Sequence, residues 1–247
     1  MDAGTSPPPD IANLRAEIDA LDDALLDLVV RRTALASAVA QAKAAAGDAG
    51  FTFRPAREVQ IIRRLVARAP GLPPRLVGAI WRALIGANLA AQGGLRVIAA
   101  PAVEDVARLR FGAIVEPERA SAEDALEAAN AGAVAVLPWP GLAGGDWWLR
   151  LLEPSFAGVR VVAAAPILKL AAPDGAPRAL LLAAAAPEPA GEDLSLVAAP
   201  MGVTAPGALI ATAQGWALWA APGFLTPDDA ALAGVDGARL LGAFAFA

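Results

Sequence analysis

Arg32 and Lys43 stand eleven residues apart, close to three turns of an α-helix, so on one helix the two cations point the same way. Lys43 is one of two lysines in a chain that otherwise takes its positive charge from arginine. A compact ammonium there suits a task that a planar fork does not. Arg32 is out of place in another sense. Ile11, Leu14, Ile18, Leu21, Leu25, Leu28, Leu35, Val39 and Ala42 repeat with heptad spacing, and Arg32 takes the position where an apolar residue is due. A guanidinium in an apolar seam is stable only beside an anion, which the protein or a ligand must supply.

Other residues extend the set. Arg15 lies four heptads before Lys43, Arg57 is followed by Glu58, and Asn88 precedes Gln92 by four positions. At that spacing the two amides share a helix face and can donate to a ligand oxygen. Several cations, two amides and one carboxylate are equipment for holding and polarising an anionic ligand. Each residue alone has a plainer reading. Arg32 could pair with Glu58 or Asp27, Lys43 could be a solvated helix-end cation, and Arg57 with Glu58 could be a surface pair. Only the joint spacing favours a site.

Composition removes other chemistries. With no histidine and no cysteine, a Ser-His-Asp triad, thiolate metal sites and disulfides are excluded. The formal charge of -5, without a basic tract, argues against a general nucleic-acid binder. Residues Leu194 to Pro227 carry no charge, but Pro200, Pro206 and Pro222 interrupt them below the roughly 20 residues that a spanning helix needs. Met1 to Pro9 lacks the pattern of a secretory signal. The expectation is a cytoplasmic protein without membrane partners.

The residues must be positioned by helices. Asp10 can cap a helix that the heptad pattern carries to about Ala46, where Gly47 ends it. Such a helix is roughly 55 Å long, well beyond the width of a small domain. Two shorter helices, about Ala56 to Ala69 and Pro73 or Pro74 to Gln92, can cover only part of it. The remainder packs most easily on its counterpart in a second chain, which predicts a homodimer. After Gly93 and Gly94 the grammar changes: residues 96–99, 113–115, 133–137, 159–164 and 179–184 read as strands. Residues 102–109 read as a helix, and Ser121 with Asp124 as the capping box of another ending near Gly132. A last piece, Leu194 to Ala247, reads as alternating strands and helices. The fold class is therefore α + α/β, with three helices first and a mixed α/β region with a partly parallel sheet after them.

With "LRAEIDALDDALLDLVVRR" (Leu14 to Arg32), Lys43, "PARE" (Pro55 to Glu58) and the Asn88/Gln92 pair, residues 11–92 resemble the all-helical chorismate mutases, which are intertwined dimers converting chorismate to prephenate. The resemblance implies a cofactor-free, metal-free isomerase of aromatic amino-acid biosynthesis. In it, Arg32 and Arg15 bind the substrate carboxylates, Arg15 arriving from the other subunit, with Arg57 nearby. Lys43 and Gln92 donate to the ether oxygen, and Glu58 accepts from the ring hydroxyl. Two positions depart from the family pattern: Arg54 stands where Asp is common, in a contact usually made by the main chain, and Asn88 stands where Ser is familiar. The chemistry suits these residue types on its own terms, because a concerted [3,3] shift needs only a compact conformer and stabilised charge on the breaking ether. Two other readings remain: a catalytically silent regulatory or assembly partner of an aromatic-pathway enzyme, and a pyruvate lyase acting on isochorismate.

The resemblance continues weakly beyond Gln92, giving a division into residues 1–93 and 94–247. Residues 121–138 and 178–199 are similar to parts of prephenate dehydratase, but of its Thr-Arg-Phe signature only Arg178 remains. "PGALI" (Pro206 to Ile210) is similar to the start of an amino-acid-binding ACT domain, in a tail, 191–247, too short for a full copy. A structural or assembly module is the favoured reading of this half, ahead of dehydration or phenylalanine sensing.

Overall fold

A computed structural model describes residues 10–47, 53–92, 95–112, 114–141, 145–169, 178–229 and 231–247, except for the side chains of Lys43 and Ala44. The chain parts into two compact units, Met1–Gly50 and Phe51–Ala247.

In the first unit the described element is a single helix, α1 (Ile11–Ala45). Asp10 opens it: its Oδ1 accepts from the Ala12 N–H at 3.1 Å, satisfying one of the donors that a first turn leaves over. Gly47 follows at φ +72°, a left-handed conformation in which a Cβ is costly. The large apolar side chains of the heptad lie exposed, Leu21 at 64% and Leu35 at 61%. A stripe of that extent calls for a cover.

The second unit holds two more helices and a sheet. α2 (Pro55–Arg68) and α3 (Pro74–Ala91) both begin on proline, whose fixed φ and missing N–H suit a first turn. Val59 and Ile62 of α2 are buried with Ile167, Leu168 and Ala245. α3 approaches its neighbours closely: a Cβ at Gly78 would lie 2.9 Å from Leu168 Cδ1, and one at Gly86 would fall on the Phe111 carbonyl oxygen. The helix expected over 102–109 is a 3-10 turn, Pro101–Val103, running into α4 (Glu104–Phe111). The capping box forms at α5 (Ala122–Asn130): the Asp124 N–H donates to Ser121 Oγ at 3.1 Å, and that hydroxyl donates to Asp124 Oδ2 at 2.7 Å.

Among the described residues, nine strands make one sheet. In chain order they are β1 (Val97–Ala99), β2 (Glu118–Arg119), β3 (Val134–Pro138), β4 (Arg160–Ala165), β5 (Ala179–Ala183), β6 (Leu194–Pro200), β7 (Ala208–Ala213), β8 (Trp216–Pro222) and β9 (Arg239–Phe244). In space they run β2-β1-β3-β5-β4-β9-β6-β8-β7. β1 is parallel to β2 and β3, and β4 to β9, while the other neighbours are antiparallel. The apolar runs expected at 96–99, 133–137, 159–164 and 179–184 are strands to within a residue at each end. Residues 114–115 are turn and bend, so the expected strand at 113–115 is absent there, Ala113 lying outside the described residues. Residues 194–247 carry strands and turns with no helix among the described residues, which corrects the expected alternation. Their short apolar runs, rich in alanine and leucine, pair along the sheet instead.

The sheet centre is dry. Every residue of β3 and β5 is buried, and Trp147 and Trp148 pack into the same core, with Trp147 Nε1 donating to the Pro138 carbonyl at 2.9 Å. Gly242 lets β9 pass beside β4: it has φ +138°, and a Cβ there would collide with the Val161 backbone.

Candidate functional site

The first unit carries three of the candidate residues. Arg15 lies on α1 and is exposed. Arg32, in the middle of the same helix, is half-buried. Its Nη1 is shielded from solvent without a hydrogen-bond partner among the described residues, and burial lowers its pKa. Lys43 has its backbone in the last turn of α1, and its side chain lies outside the described residues.

The second unit carries the other five. Arg54 precedes α2 and makes an exposed fork with Glu188 of the strand-rich part, Nη2 to Oε1 at 2.8 Å and Nε to both oxygens at 3.2 Å. Arg57 is exposed on the first turn of α2. Asn88 is buried near the end of α3, and its carbonyl accepts from the N–H of half-buried Gln92 at 3.2 Å, so the two amides are neighbours on one helix end.

Glu58 is the least expected. It faces inward from the first turn of α2, and its Oε2 accepts from Nη2 of Arg110 in a close ion pair with both side chains buried. Phe53 and Phe111 flank that guanidinium, their ring centroids 5.5 and 5.4 Å away, where the ring quadrupoles favour a cation. Arg110 Nε is buried without a partner among the described residues. Arg82 of α3 stands near, donating to the Gly78 carbonyl at 3.0 Å and the Leu109 carbonyl at 2.9 Å. Its pKa is lowered by burial and then by the Arg110 charge, and Glu58 partly offsets this. Arg110 and Arg82 were not among the residues singled out from the sequence. A signal for Arg110 was present: Val103, Val106, Ala107 and Phe111 mark the apolar face of α4, and Arg110 sits in that register as Arg32 does in α1.

The geometry thus places Asn88 beside Gln92 on α3 and sets Glu58 against Arg110, while Arg15, Arg32 and Lys43 follow one another along α1. The family model for chorismate mutase type II matches residues 14–93. That chorismate mutase span is about a third of the chain and contains all eight candidate residues, from Arg15 to Gln92. It includes almost all of α1 together with α2 and α3, so it runs across the boundary between the two compact units. The chorismate mutase match ends before the sheet, and no comparison speaks to the expected likeness of residues 94–247 to prephenate dehydratase or an ACT domain. No curated protein and no solved structure matched the chain. Among the described residues, no helix is long and apolar enough to cross a membrane, and no group of acidic side chains has the arrangement of a metal site.

Proposed function

We propose that the chain is a chorismate mutase, rearranging chorismate to prephenate by a concerted [3,3] shift without a cofactor, and acting as a homodimer in the cytoplasm. One observation carries the reading: a chorismate mutase type II match that encloses the whole cation and amide set. Arg32 and Arg15 hold the substrate carboxylates, Arg15 from the second subunit, with Arg57 and Asn88 adding donors and Arg54 contributing its main-chain amide. Lys43 and Gln92 donate to the ether oxygen, and Glu58, kept in place by Arg110, accepts from the ring hydroxyl. A millionfold acceleration asks for roughly 8 kcal/mol. One preorganised donor to developing charge supplies about 3 to 4 kcal/mol, so Lys43, Gln92 and conformer selection suffice. The half-buried Arg32, with a nitrogen left unmatched, agrees with a site awaiting an anion.

One observation favours a rival. Glu58 already has a partner in Arg110, as it would in a silent helical module that binds another enzyme. The deciding experiment incubates purified protein separately with chorismate and isochorismate and follows substrate loss and prephenate release. Prephenate from chorismate supports the mutase. Pyruvate release from isochorismate alone makes the chain a lyase, and turnover of neither leaves the silent partner. A finer test concerns Gln92. Gln92→Glu should act only while its new carboxyl is protonated, so its rate should fall as pH rises towards neutrality, where the parent stays level; a level profile for the variant removes the ether-oxygen contact.

A further inference from the structure

β5 and β6 run in the same direction, because β4 is antiparallel to β5, β9 is parallel to β4, and β6 is antiparallel to β9. In the sheet they are separated by β4 and β9. Their connection, residues 184–193, must therefore run back along the strands while crossing about 14 Å of sheet. Parallel strands are usually joined through a helix that covers the sheet on the way. This connection contains none, and α2, from the chorismate mutase span, lies against it instead. Ala56 and Val59 of α2, Ala164 of β4, and Ala190 and Asp193 of the connection close around one small void.

The connection is stiff. Pro187 and Pro189 each fix a φ angle, and buried Asp193 accepts from the Ala190 N–H at 3.1 Å and the Gly191 N–H at 2.8 Å. Gly191 and Glu192 complete the turn at φ +80° and +53°. Successive carbonyls are thereby presented to α2. Gln60 Nε2 donates to the Pro189 carbonyl at 3.3 Å, and Arg63 Nη1 donates to the carbonyls of Ala190, at 3.0 Å, and of Gly191. With the Arg54 fork on Glu188, three side chains of α2 and its entry engage four consecutive residues. We infer that residues 187–193 are a strap that positions α2 for the mutase reaction, with Arg63 as its main positioning residue; this rests on the mutase reading above. Arg57 and Glu58 lie within two turns of Arg63, so a slide or roll of α2 displaces both. A displacement of about 1 Å is enough to cost roughly a hundredfold in rate. The strand-rich region thereby becomes scaffold for the mutase site.

The test compares Arg63→Met and Arg63→Lys with the parent, as full-length proteins, by hydrogen exchange and by steady-state turnover of chorismate. Arg63→Met keeps the apolar stem and removes the donors. It should speed amide exchange across residues 55–68 about tenfold and lower kcat about tenfold or more, with KM changed less. Exchange in β3 and β5 should stay at the parent rate. Arg63→Lys, whose ammonium can donate to both carbonyls, should return kcat and exchange to near the parent values. Unchanged exchange in α2, an unchanged kcat in Arg63→Met, or an equal loss in Arg63→Lys would each overturn the strap. Faster exchange in β3 and β5 as well would make Arg63 a general support of the fold and overturn it too. A parent protein that turns over no chorismate carries a separate meaning. It removes the mutase reading and the catalytic half of the inference, and exchange in α2 still decides whether the strap holds the helix.

Discussion

Arg32 and Arg110 both stand where an apolar residue is due, one in the heptad seam of α1 and the other on the inner face of α4, and their surroundings differ. Arg110 is enclosed by Phe53 and Phe111 and paired with the carboxylate of Glu58. Arg32 is half-buried and, like Arg110, keeps one nitrogen shielded and unmatched among the described residues, but no described carboxylate pairs with it. The first arrangement binds α2 to α4, since a buried pair cannot lose one member without stranding the other. The second leaves a demand for an anion that a substrate can meet. A misplaced arginine in an apolar pattern is a lock where a protein carboxylate meets it, as at Arg110, and is otherwise left to find its anion elsewhere.

Substitutions that separate activity from stability distinguish the two arginines. The largest effects are expected on the Arg32 side: Arg32→Met should lower kcat/KM at least a thousandfold, about 4 kcal/mol of transition-state binding, with the melting temperature unchanged or raised. Lys43→Ala, on the same helix, should lower kcat a hundredfold or more while KM moves little, because its target gains charge only during the reaction. Stopped-flow or steady-state assay of prephenate formation reads both. A melting temperature that fell with Arg32→Met would make it a second lock. On the Arg110 side, Glu58→Ala should cost about 3 to 5 kcal/mol in urea unfolding, the penalty of an unpaired buried guanidinium, and Glu58→Ala with Arg110→Met should recover much of it. Failure of the double variant to recover would show that the pair is not what holds α2 to α4. Gly86→Ala should cost about 1 to 3 kcal/mol, because its methyl group meets the Phe111 carbonyl at the end of the helix that carries Arg110. Arg54→Ala should change stability by less than about 1 kcal/mol, since the fork with Glu188 is solvent-exposed at both ends.

The helical region was legible because its signals are local. Asp10, Pro55, Pro74 and Gly47 mark ends. The strands of β1, β3, β4 and β5 were legible as apolar runs, and α5 through Ser121 and Asp124. The tail was misread because β6 to β9 contain alanine and leucine that suit either element, and what makes them strands is pairing over long separations, such as Leu194 with Phe244. β2 escaped notice because two residues at an edge carry no periodicity. The partner of Glu58 was not legible for the same reason: it is 52 residues away, and no spacing rule on α2 points to α4. Of the candidate site, the pairing of Asn88 with Gln92 on one turn followed from their separation alone.

β9 comes after every other strand in the sequence yet lies between β4 and β6 in the sheet. As the chain leaves the ribosome, the set β2-β1-β3-β5-β4 and the set β6-β8-β7 can each zip up early, but each must keep one edge open until residues 239–244 arrive. Those waiting edges are sticky surfaces in a nascent chain. The slot between β4 and β6 is narrow where Gly242 passes Val161, so a side chain at position 242 would block that last insertion.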